Sequence, residues 1–466
     1  MFDAISQLIG ADQALPHRAE RLAMYQRVLD GTLYDDLPYA FQDERNGAGD
    51  YIPLRQRRPS VRYGLCRMVV EDSVALLFSA GHFPAIDCPD PAVIKALADV
   101  IRENQLNALM IDAALAGSVG SVALWMRVLR GKLFFSVLRT LYLTPTWRAD
   151  APDSLESVTE RYRVRGAELI ERGYLDIDPT VSYWFQRRWT ASDELWFDPL
   201  PVDADGSWQI DETRSIRHDL GFVPIVWVRN LPGGDEIDGA CTFRPAIETS
   251  IEIDYQLSQV GRGLKYASDP TLLIKEPAST DREIIKGAGN ALVVSENGDA
   301  KLLEIGGTAS AAVIDYVRTL REFALESVHG NRANADRLAV APSGRALELM
   351  NQGLIWLADN LRISYGEGGL LKLLRMVLAA RQKFEIIAGG GVIPPFDVNV
   401  PITLRWPRWY PASADDRLKE AQAIATLSNA GQISQETAAK TLGQQMAITD
   451  VEAELARIRQ EQIQDD

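Results

Sequence analysis

Apolar residues in the first 150 positions follow helical spacing at first and strand spacing later. Leu22, Tyr25 and Leu29 recur three and four residues apart, which indicates an amphipathic helix, and Gly31 is a plausible stop. Further on, apolar runs lie on either side of Gly131, as expected for two paired strands. This part is therefore predicted to be α+β, with helices over 18–29, 61–78 and 91–117 and strands over 121–130 and 132–141.

The next region is rich in aromatic and β-branched residues, which favour strands. Over 181–228 they form several short runs, and an antiparallel sheet is the economical interpretation. Helical spacing returns over 235–266 and again over 310–328. Between these helices stands Asn297-Gly298, a dipeptide favoured in tight hairpin turns because both central residues need positive φ. The predicted hairpin strands are 292–295 and 301–305.

A polar stretch over 329–342 separates the helix over 310–328 from a much longer one. Ser343 is a good cap residue, and the helical pattern continues to about residue 384. Glycines fall inside this helix, and each costs about 1 kcal/mol relative to alanine, so a kink or break is expected. These glycines are Gly366, Gly368 and Gly369. The rest is predicted as a linker over 389–395, a strand over 399–406 and three short helices over 413–466.

The chain is acidic, with 49 Lys and Arg against 64 Asp and Glu and a net charge of −15 over 466 residues. Non-specific affinity for nucleic acid comes from a basic surface, so this balance argues against a tight DNA binder. The length is enough for about three domains. Cys66, Cys88 and Cys241 are far apart and form no CxxC pair, which favours a reducing cytoplasm over a zinc site or a disulfide framework.

One stretch, 106–125, has nearly the length of a membrane-spanning helix. It contains Asp112, which alone would cost about 3 kcal/mol at the centre of a bilayer. A buried helix that runs into a strand is therefore predicted. The first ten residues do not resemble a secretion signal, because they already carry Asp3 and Gln7.

The most basic short segment contains Arg55, Arg57 and Arg58 within the turn-rich residues 32–60. Arginines among prolines are usually part of a solvated loop, and this interpretation is favoured over a nucleic-acid patch. The sequence thus predicts three exposed arginines here.

The acidic segment that starts at Pro201 has part of the pattern of a calcium-binding loop. Asp203, Asp205 and Glu212 occupy the third, fifth and twelfth positions of a loop that starts at Pro201, with Gly206 at the sixth. The first ligand position is proline, however, and the flanking residues have strand patterns. A polar hairpin turn is favoured, with calcium as the alternative.

Catalytic motifs are absent from the sequence. There is no glycine loop that ends in Gly-Lys-Ser/Thr, no HExxH, no GxSxG and no GxGxxG after a strand. The histidines, His17, His82, His218 and His329, lie in different segments, and a lone histidine is more often structural than catalytic. We therefore expect no enzymatic activity, no cofactor and no metal.

The order of the predicted elements is unusual for an enzyme: a helix, a strand-rich excursion, a second helix, a polar loop and a long kinked helix. Three short clusters within this order are similar to portal proteins of tailed bacteriophages, including the subfamily typified by siphophages of Gram-positive hosts. The residues of these clusters are Val223, Pro224, Ile225, Val226 and Asn230; Ser343, Gly344, Ala346 and Leu347; and Gly431, Ile433, Ser434, Thr437, Ala438, Leu442, Gly443, Asp450, Glu454, Arg457 and Glu461.

The resemblance covers nearly the whole chain and implies the α+β portal fold, with wing, stem helices, β-rich clip, long kinked helix and helical C-terminal crown. The implied parts are a wing over 1–240 completed by the strand over 399–406, stem helix 1 over 241–267, a clip over 268–307, stem helix 2 over 308–328, a tunnel loop over 329–342, the long kinked helix over 343–388, a return linker and strand over 389–411, and the crown over 412–466.

The resemblance also implies a structural virion protein. Such a subunit would form a ring of about twelve copies at one capsid vertex after assembly in the bacterial cytoplasm, and would act as a conduit for DNA packaging and ejection. The implied partners are other copies of this chain, the major capsid protein, the large terminase subunit, head-completion, adaptor or tail proteins, and transient, non-specific double-stranded DNA, with no membrane. A ring of acidic chains, each of net charge −15, would repel DNA phosphates and let the duplex slide.

Two alternatives stay open on the sequence. An adaptor or capsid subunit is another kind of virion structural protein, although an adaptor should be shorter and lack the long kinked helix. A soluble α+β enzyme with an unrecognised site would need titratable residues that converge in one cleft.

Within the implied tunnel loop, polar and basic residues are candidates for contact with passing DNA. They lie between two predicted helices and are too polar for a core. An ordinary solvated connection is the alternative. The candidate DNA-facing residues are Asn331, Arg332, Asn334 and Arg337.

Overall fold

A computed structural model describes most of the chain. The described residues are 1–9, 16–204, 206–268, 271–277, 294–303, 308–330, 348–349, 351–410, 414–445 and 455–457. The chain divides into two compact units, one of Met1–Asn331 with Trp356–Pro407 and the other of Arg332–Ile355 with Arg408–Asp466.

Local sequence signals set several helix ends. Helix α2 ends at Gly31, which has a φ of +72°, and α4 begins at Pro91 with the Asp90 carboxylate accepting from the backbone N–H of Ala92 at 2.8 Å. The helices up to residue 330 are α1 Phe2–Leu8, α2 His17–Asp30, α3 Leu65–Phe78, α4 Pro91–Glu103, α5 Leu106–Gly117, α6 Gly166–Glu171, α7 Ile247–Ser268 and α8 Thr308–Ser327.

Three sequence-based helix boundaries are corrected. The helix predicted over 91–117 is two helices, because Gln105 adopts a left-handed φ of +49° between α4 and α5. The helix predicted over 61–78 starts at Leu65, after Gly64 at positive φ. The one predicted over 235–266 starts only at Ile247, after a short 3-10 turn. Helices predicted over 18–29 and 310–328 are confirmed as α2 and α8.

A kink or break was expected at the glycines of the long helix, and the helix instead continues through them as a π-helical segment. It consists of α9 Gln352–Leu361, a π-helical segment Arg362–Leu371 and α10 Lys372–Arg381. A π-helical turn is wider than an α-helical turn and inserts one residue per turn. The glycines of this segment permit close packing, since a Cβ on Gly366 would lie 2.4 Å from the ring of Trp406.

Most paired strands are antiparallel. The strands are β1 Tyr39–Ala40, β2 Arg57–Arg58, β3 Ala85–Asp87, β4 Ser121–Leu129, β5 Lys132–Arg139, β6 Leu143–Trp147, β7 Leu155–Arg165, β8 Ser182–Trp189, β9 Asp193–Trp196, β10 Leu200–Pro201, β11 Ile216–Arg217, β12 Ile225–Arg229, β13 Thr271–Pro277, β14 Val294–Leu303, β15 Ile387–Ala388, β16 Gly391–Val392 and β17 Thr403–Arg405.

Two sheets form the body of the first unit. The three-stranded sheet has the order β12-β4-β5, and the six-stranded sheet has the order β11-β9-β8-β7-β6, with β10 paired to β8. The hairpin around Gly131 is confirmed as β4 and β5. The single sheet predicted over 181–228 is corrected, because its last strand, β12, pairs with β4 and not with β8 or β9.

Smaller pairings complete the described sheet structure. The strand predicted over 399–406 is β17, which pairs antiparallel with β3. The hairpin predicted around Asn297-Gly298 is wrong: β14 runs through both residues and pairs with β13, so Thr271 lies opposite Leu303. The dipeptide falls where the register shifts, between Asp299 opposite Lys275 and Val294 opposite Pro277.

The hydrophobic core of the first unit packs helices against one face of the three-stranded sheet. It includes α3, α5 and the π-helical segment, and Leu106, Met110 and Tyr365 are completely buried in it. The stretch over 106–125 is confirmed as a buried helix that leads into a strand, α5 followed by β4. The described elements mix helices with antiparallel sheets, which confirms the α+β class.

The second unit contains helices α11 Ala414–Asn429 and α12 Gln435–Gln445. Between them Gly431 has a φ of +70°, and the Ser434 hydroxyl accepts from the backbone N–H of Thr437 at 3.1 Å as the cap of α12. Two of the three predicted tail helices are thereby confirmed. The third is described only at 455–457, which are helical.

Candidate functional site

The candidate site is the pair of long helices α7 and α8 together with the polar groups that fix it to the core. At 1.5 Å per residue, the 22 residues of α7 and the 20 residues of α8 span about 33 and about 30 Å. The two helices pack against each other. They run antiparallel, because α7 leads into Thr271 and α8 follows Leu303, its partner in the β13–β14 ladder.

The first half of α7 is embedded in the core. Ile247, Ile251, Ile253 and Tyr255 are at most 3% exposed. These residues are apolar on more than one side of the helix, which is the pattern of a helix surrounded by protein. The far end of α8 enters the same core through Ala324, Leu325 and Val328.

Asp254 is the polar anchor in this buried half of α7. It is 5% exposed and accepts hydrogen bonds from the Tyr34 hydroxyl at 2.9 Å and from the backbone N–H of Tyr63 at 2.7 Å. Burial raises the pKa of Asp254 to about 6, although both hydrogen bonds act in the opposite direction. Burial and the neighbouring Asp254 also raise the pKa of Tyr34.

One turn further along, Ser258 continues the anchor. Its hydroxyl donates to the Asp254 carbonyl at 2.7 Å and accepts from the backbone N–H of Val61 at 3.0 Å. The Tyr255 hydroxyl donates to the Arg57 carbonyl at 2.8 Å. The loop before α3 is thus tied to α7 through side chains of the helix.

The solvated sides of the pair carry large apolar side chains. Tyr316 and Phe323 of α8 are 48% and 61% exposed, and Leu264 of α7 is 49% exposed. Tyr316 and Phe323 are seven residues apart and therefore share one side of the helix. Exposed large apolar side chains on one side of a helix are candidates for burial against another protein.

A second anchor lies where β12 ends. The Asn230 amide group is buried and donates to the Thr242 hydroxyl at 2.8 Å and to the Ala240 carbonyl at 2.8 Å, while its oxygen accepts from the Tyr365 hydroxyl at 2.9 Å. The same amide nitrogen approaches the Ser118 carbonyl at 3.3 Å. One side chain therefore links the three-stranded sheet, the segment before α7, the end of α5 and the π-helical segment.

A third anchor is a nearly buried ion pair. Arg18 of α2 donates two hydrogen bonds to the Asp238 carboxylate, both at 2.7 Å, and Asp238 is 2% exposed. Asp238 also accepts from the Ser121 hydroxyl at 2.5 Å. This bidentate pair joins α2 to the chain just before α7.

The candidate tunnel-loop residues Asn331, Arg332, Asn334 and Arg337 lie outside the described residues, and so does the predicted helix start at Ser343. The described end of this region is the turn after α8. There the His329 ring packs edge-on against Trp356 with ring centroids 4.8 Å apart.

The basic segment around Arg57 differs from its prediction. Arg55 and Arg58 are not buried, but Arg57 is 1% exposed and its guanidinium donates to the Ile52 carbonyl at 2.9 Å. The solvated-loop interpretation is therefore wrong for Arg57. The reason is tertiary: the backbone carbonyls of residues 41 and 52 satisfy the charge inside the fold.

Of the acidic segment tested for calcium, Asp203 and Glu212 are exposed and Asp205 lies outside the described residues. Within the part of the chain that the structure describes, no group of three or more His, Cys, Asp or Glu side chains could hold a metal ion. Nor is any helix in that part long and apolar enough to span a membrane.

The histidines and cysteines make local, structural contacts. His82 pairs with the Ser79 hydroxyl at 2.8 Å, and the backbone N–H of Leu220 donates to His218 at 3.2 Å. Burial raises the pKa of both the Cys66 and the Cys241 thiol to about 12, so these thiols stay protonated and unreactive at neutral pH.

A cavity of about 680 Å³ lies along β12. Its walls come from the turn between β6 and β7, from β12 and from the long helix, and they include Trp147, Trp227 and Ile363. Arg229, Lys372, Arg375 and one carboxylate, Asp153, are the charged groups in its lining. The lining has neither a histidine nor a pair of carboxylates for acid and base catalysis.

Comparison with known protein families identifies the class of protein that this arrangement belongs to. The family described as "Phage portal protein, SPP1 Gp6-like" matches residues 79–466. The chain therefore belongs to this family of phage portal proteins, which are structural proteins of the virion. The resemblance to portal proteins drawn from the sequence is confirmed.

Solved structures with a related chain are distant. The chain is 13% identical to one described as "Neck of native GTA particle computed with C12 symmetry", with a TM-score of 0.42 and coverage of 94% of this chain and 97% of that chain. A structure described as "Neck of empty GTA particle computed with C6 symmetry" gives 11% identity, a TM-score of 0.41 and coverage of 81% and 88%. No curated protein matches the chain.

Sequence reasoning missed most of the residues that anchor the helix pair. Asn230 was singled out as part of a family pattern, but Tyr365, Asp238 and Asp254 were not. A polar residue inside an apolar run, such as Asp254 after Ile251 and Ile253, was the available signal. Tyr365 gave none, because a tyrosine at helical spacing looks like an ordinary core residue.

Proposed function

We propose that this portal protein assembles into a closed ring of about twelve identical subunits at one capsid vertex, as a conduit for DNA packaging and ejection. The observation that carries the proposal is the pair α7 and α8. One end of the pair is fixed in the core by Asp254 and Ser258, while the solvated side of α8 keeps Tyr316 and Phe323 exposed. A neighbouring copy of the same pair would cover these side chains in a ring.

The parts of the subunit follow from this assignment. We take the wing as residues 1–240 with the strand near 399–406, the stem as 241–267 and 308–328, the clip as 268–307 and the crown as 412–466. The rigid anchors at Asn230 and Asp238 support this division, because they fix the segment that leads into α7 against the sheets and α2.

In this arrangement the chain has a structural role, and a separate protein hydrolyses the nucleotide that drives packaging. The large terminase subunit would dock during packaging, head-completion, adaptor or tail proteins would follow, and the major capsid protein would surround the ring. The absence of a nucleotide-binding loop from the sequence supports a separate motor.

Native mass spectrometry of the full-length chain tests the ring. About twelve copies of 51.6 kDa should give a particle near 620 kDa. Tyr316→Asp combined with Phe323→Asp should shift the protein to monomers and small oligomers while its circular dichroism stays unchanged, because charges on this surface cannot be buried against a neighbour.

The matched control is Leu175→Asp combined with Ile216→Asp. These residues are 85% and 51% exposed, and Ile216 lies on the edge strand β11 of the six-stranded sheet. The control should leave the ring intact. A wild-type chain that stays monomeric at every concentration and in virions, or a control that dissociates as completely as the α8 variant, would rule out the proposed ring.

The loop over 329–342 is proposed to contact passing DNA in the channel. Arg332 and Arg337 would each contribute about 0 to 1 kcal/mol to exposed phosphate contacts. A ring of about twelve cannot match a duplex of about 10 base pairs per turn, so few subunits engage at once and contact stays weak and shifting.

Replacing both Arg332 and Arg337 by alanine should leave the ring intact and change the length or retention of packaged DNA. Arg102→Ala with Arg217→Ala is the control, since both are exposed arginines beside a carboxylate. Normal packaging by the loop variant, or loss of the ring, would show that the loop has another role.

A further inference from the structure

The outer face of the six-stranded sheet carries an unusual arginine cluster, which we call the arginine face. Its arginines are Arg161, Arg163 and Arg165 of β7 and Arg188 of β8, and all four are exposed. Alternate residues of a strand share a face, so these three β7 side chains lie on one side. A hydrogen bond from Arg188 to the Thr159 hydroxyl at 3.1 Å places Arg188 on the same side.

The register supports this assignment of faces. Arg163 pairs with Trp184 and Arg165 with Ser182 across β7 and β8. Val164 of β7 and Tyr183 and Phe185 of β8 point the other way and are buried, and Tyr162 is half-buried. The four arginines thus share one solvated surface.

On β7 from residue 157 and on β8 this face has no acidic side chain, whereas β9 contributes Asp193, two residues from Leu195, the partner of Arg188. From residue 157 to 165 on β7 and along β8, the side chains of this face are Ser157, Thr159, Ser182, Trp184 and Gln186 besides the arginines. The inner face differs, because Arg187 there is paired with Glu160 at 2.8 Å and lies 3.5 Å from Glu194. Exposed acidic residues of the region, such as Asp198 and Asp203, belong to the loops after β9 and β10.

Tryptophans hold part of the arginine face in position. The Arg161 guanidinium lies 5.0 Å from the ring centres of both Trp184 and Trp208, and that of Arg163 lies 6.0 Å from Trp184. Stacking fixes the plane of a guanidinium and leaves its N–H edges for bidentate contact with an anion. The entropy cost of ordering these side chains on a ligand is thereby reduced.

We propose that the arginine face binds the phosphate backbone of duplex DNA without sequence specificity. Arg161 and Arg165 are four residues apart on β7, about 13.6 Å at about 3.4 Å per residue, so they can meet phosphates two steps apart on one DNA strand. Thr159 and Ser182 add hydroxyls of the kind that contact phosphates. The proposal rests on the proposed function in one respect, namely that duplex DNA is the polyanion that such a protein meets.

Attraction between this surface and DNA depends on the local positive charge, although the whole chain has a net charge of −15. Like charges on one surface repel each other, and a polyanion offsets that repulsion. Counterion release from three phosphate contacts, those of Arg161, Arg165 and Arg188, gives a salt slope of about −2.7 and a loss of about 40-fold in affinity between about 50 and about 200 mM salt. Binding would therefore be weak and reversible, in keeping with an acidic protein.

Fluorescence anisotropy of the full-length protein with a labelled duplex of about 30 base pairs tests the proposal. The variant is Arg161→Gln, Arg165→Gln and Arg188→Gln. Its affinity for the duplex should fall about 10- to 100-fold at about 50 mM salt. The slope of log affinity against log salt concentration should become less negative by about 3. If the triple variant does not fold, the double variant Arg165→Gln and Arg188→Gln replaces it. This variant keeps the stacked Arg161, and its affinity for the duplex should still fall.

The matched control removes the same charge elsewhere: Arg102→Gln, Arg148→Gln and Arg217→Gln. Each of these arginines is exposed and lies beside a carboxylate, at 2.6, 2.7 and 3.0 Å. It should leave affinity within about twofold of wild type, since those charges are already neutralised locally.

Three results would overturn the inference. The wild-type ring could fail to bind the duplex at low salt, or the two triple variants could weaken binding equally. Polyglutamate could also compete as well as unlabelled duplex of equal charge, which would assign the face to an acidic protein partner. In each case an intact ring in the same sample keeps the proposed function separate from the failed inference.

Discussion

The two main sheets of this protein differ in how many of their faces are buried. In the three-stranded sheet, Val122, Leu124 and Val228 pack into the main core on one side, while Trp125 and Trp227 pack into a second cluster on the other. In the six-stranded sheet, one face is packed and the other carries the exposed arginine face. The first sheet thus positions the helices, and the second presents a surface.

The sequence pattern reflects this difference. All residues of β4 from Ser121 to Met126 are buried, so this strand is a nearly continuous apolar run. On β7, polar and apolar residues alternate, as expected of a strand with one solvated face. A strand buried on both sides tolerates change poorly, whereas a solvated face can vary with its ligand.

The largest expected effect is at the edge of the three-stranded sheet. Asn230→Ala would leave the buried Tyr365 hydroxyl and Thr242 hydroxyl without their partner, at a cost of about 3 to 5 kcal/mol in unfolding free energy. Chemical denaturation measures this. Asn360→Ala is the control, because the hydrogen bond from the half-buried Asn360 to the Trp356 carbonyl is solvent-exposed, and the change should cost less than about 0.5 kcal/mol.

A somewhat smaller effect is expected at Gly117, where α5 covers this sheet. A Cβ at this position would lie 2.2 Å from the Tyr365 hydroxyl, so Gly117→Ala should destabilise the fold by about 3 kcal/mol. Removing the hydroxyl with Tyr365→Phe should rescue part of the loss in the double variant. Strict additivity of the two single changes would show that the two side chains do not meet.

The inner face of the six-stranded sheet should be less sensitive and dependent on pH. Burial raises the pKa of Glu194, and Arg187 opposes that shift. Arg187→Met would raise the pKa of Glu194 further, because the charged carboxylate would lose its cationic partner. Glu194 of the folded variant would then stay protonated to higher pH than in the unfolded chain, so the variant should lose stability as pH rises. The deficit should be about 2 kcal/mol near neutral pH and smaller near about pH 4. A deficit that is equal at both pH values in thermal unfolding would contradict this assignment.

The smallest effect is expected on the outer face. Arg165→Gln and Arg188→Gln should each change unfolding free energy by less than about 0.5 kcal/mol, because exposed charges contribute little to stability. Thermal unfolding measures it. A loss of more than about 1 kcal/mol from either change would mean that the arginine face contributes to stability. The two sheets would then not differ in the way described above.

Elements that depend on near neighbours in sequence were predictable. Helices α2 and α8 and the β4–β5 hairpin follow from periodicity and glycine, which act over a few residues. The glycines also marked where the long helix departs from α-helical geometry, although a kink or break was expected there. The portal family was also accessible from the order of such elements. These features need no knowledge of distant contacts.

Features that depend on distant partners were decided only by the tertiary structure. Strand β12 joins β4 across about a hundred residues, and Tyr365 meets Asn230 across 135. Arg57 is buried because its guanidinium donates to backbone carbonyls. Asn297-Gly298 lies within β14, at the place where the register with β13 shifts. The arginine face likewise required the register of β7 with β8. Local preferences are worth about 1 kcal/mol or less, and burial, pairing and close packing outweigh them.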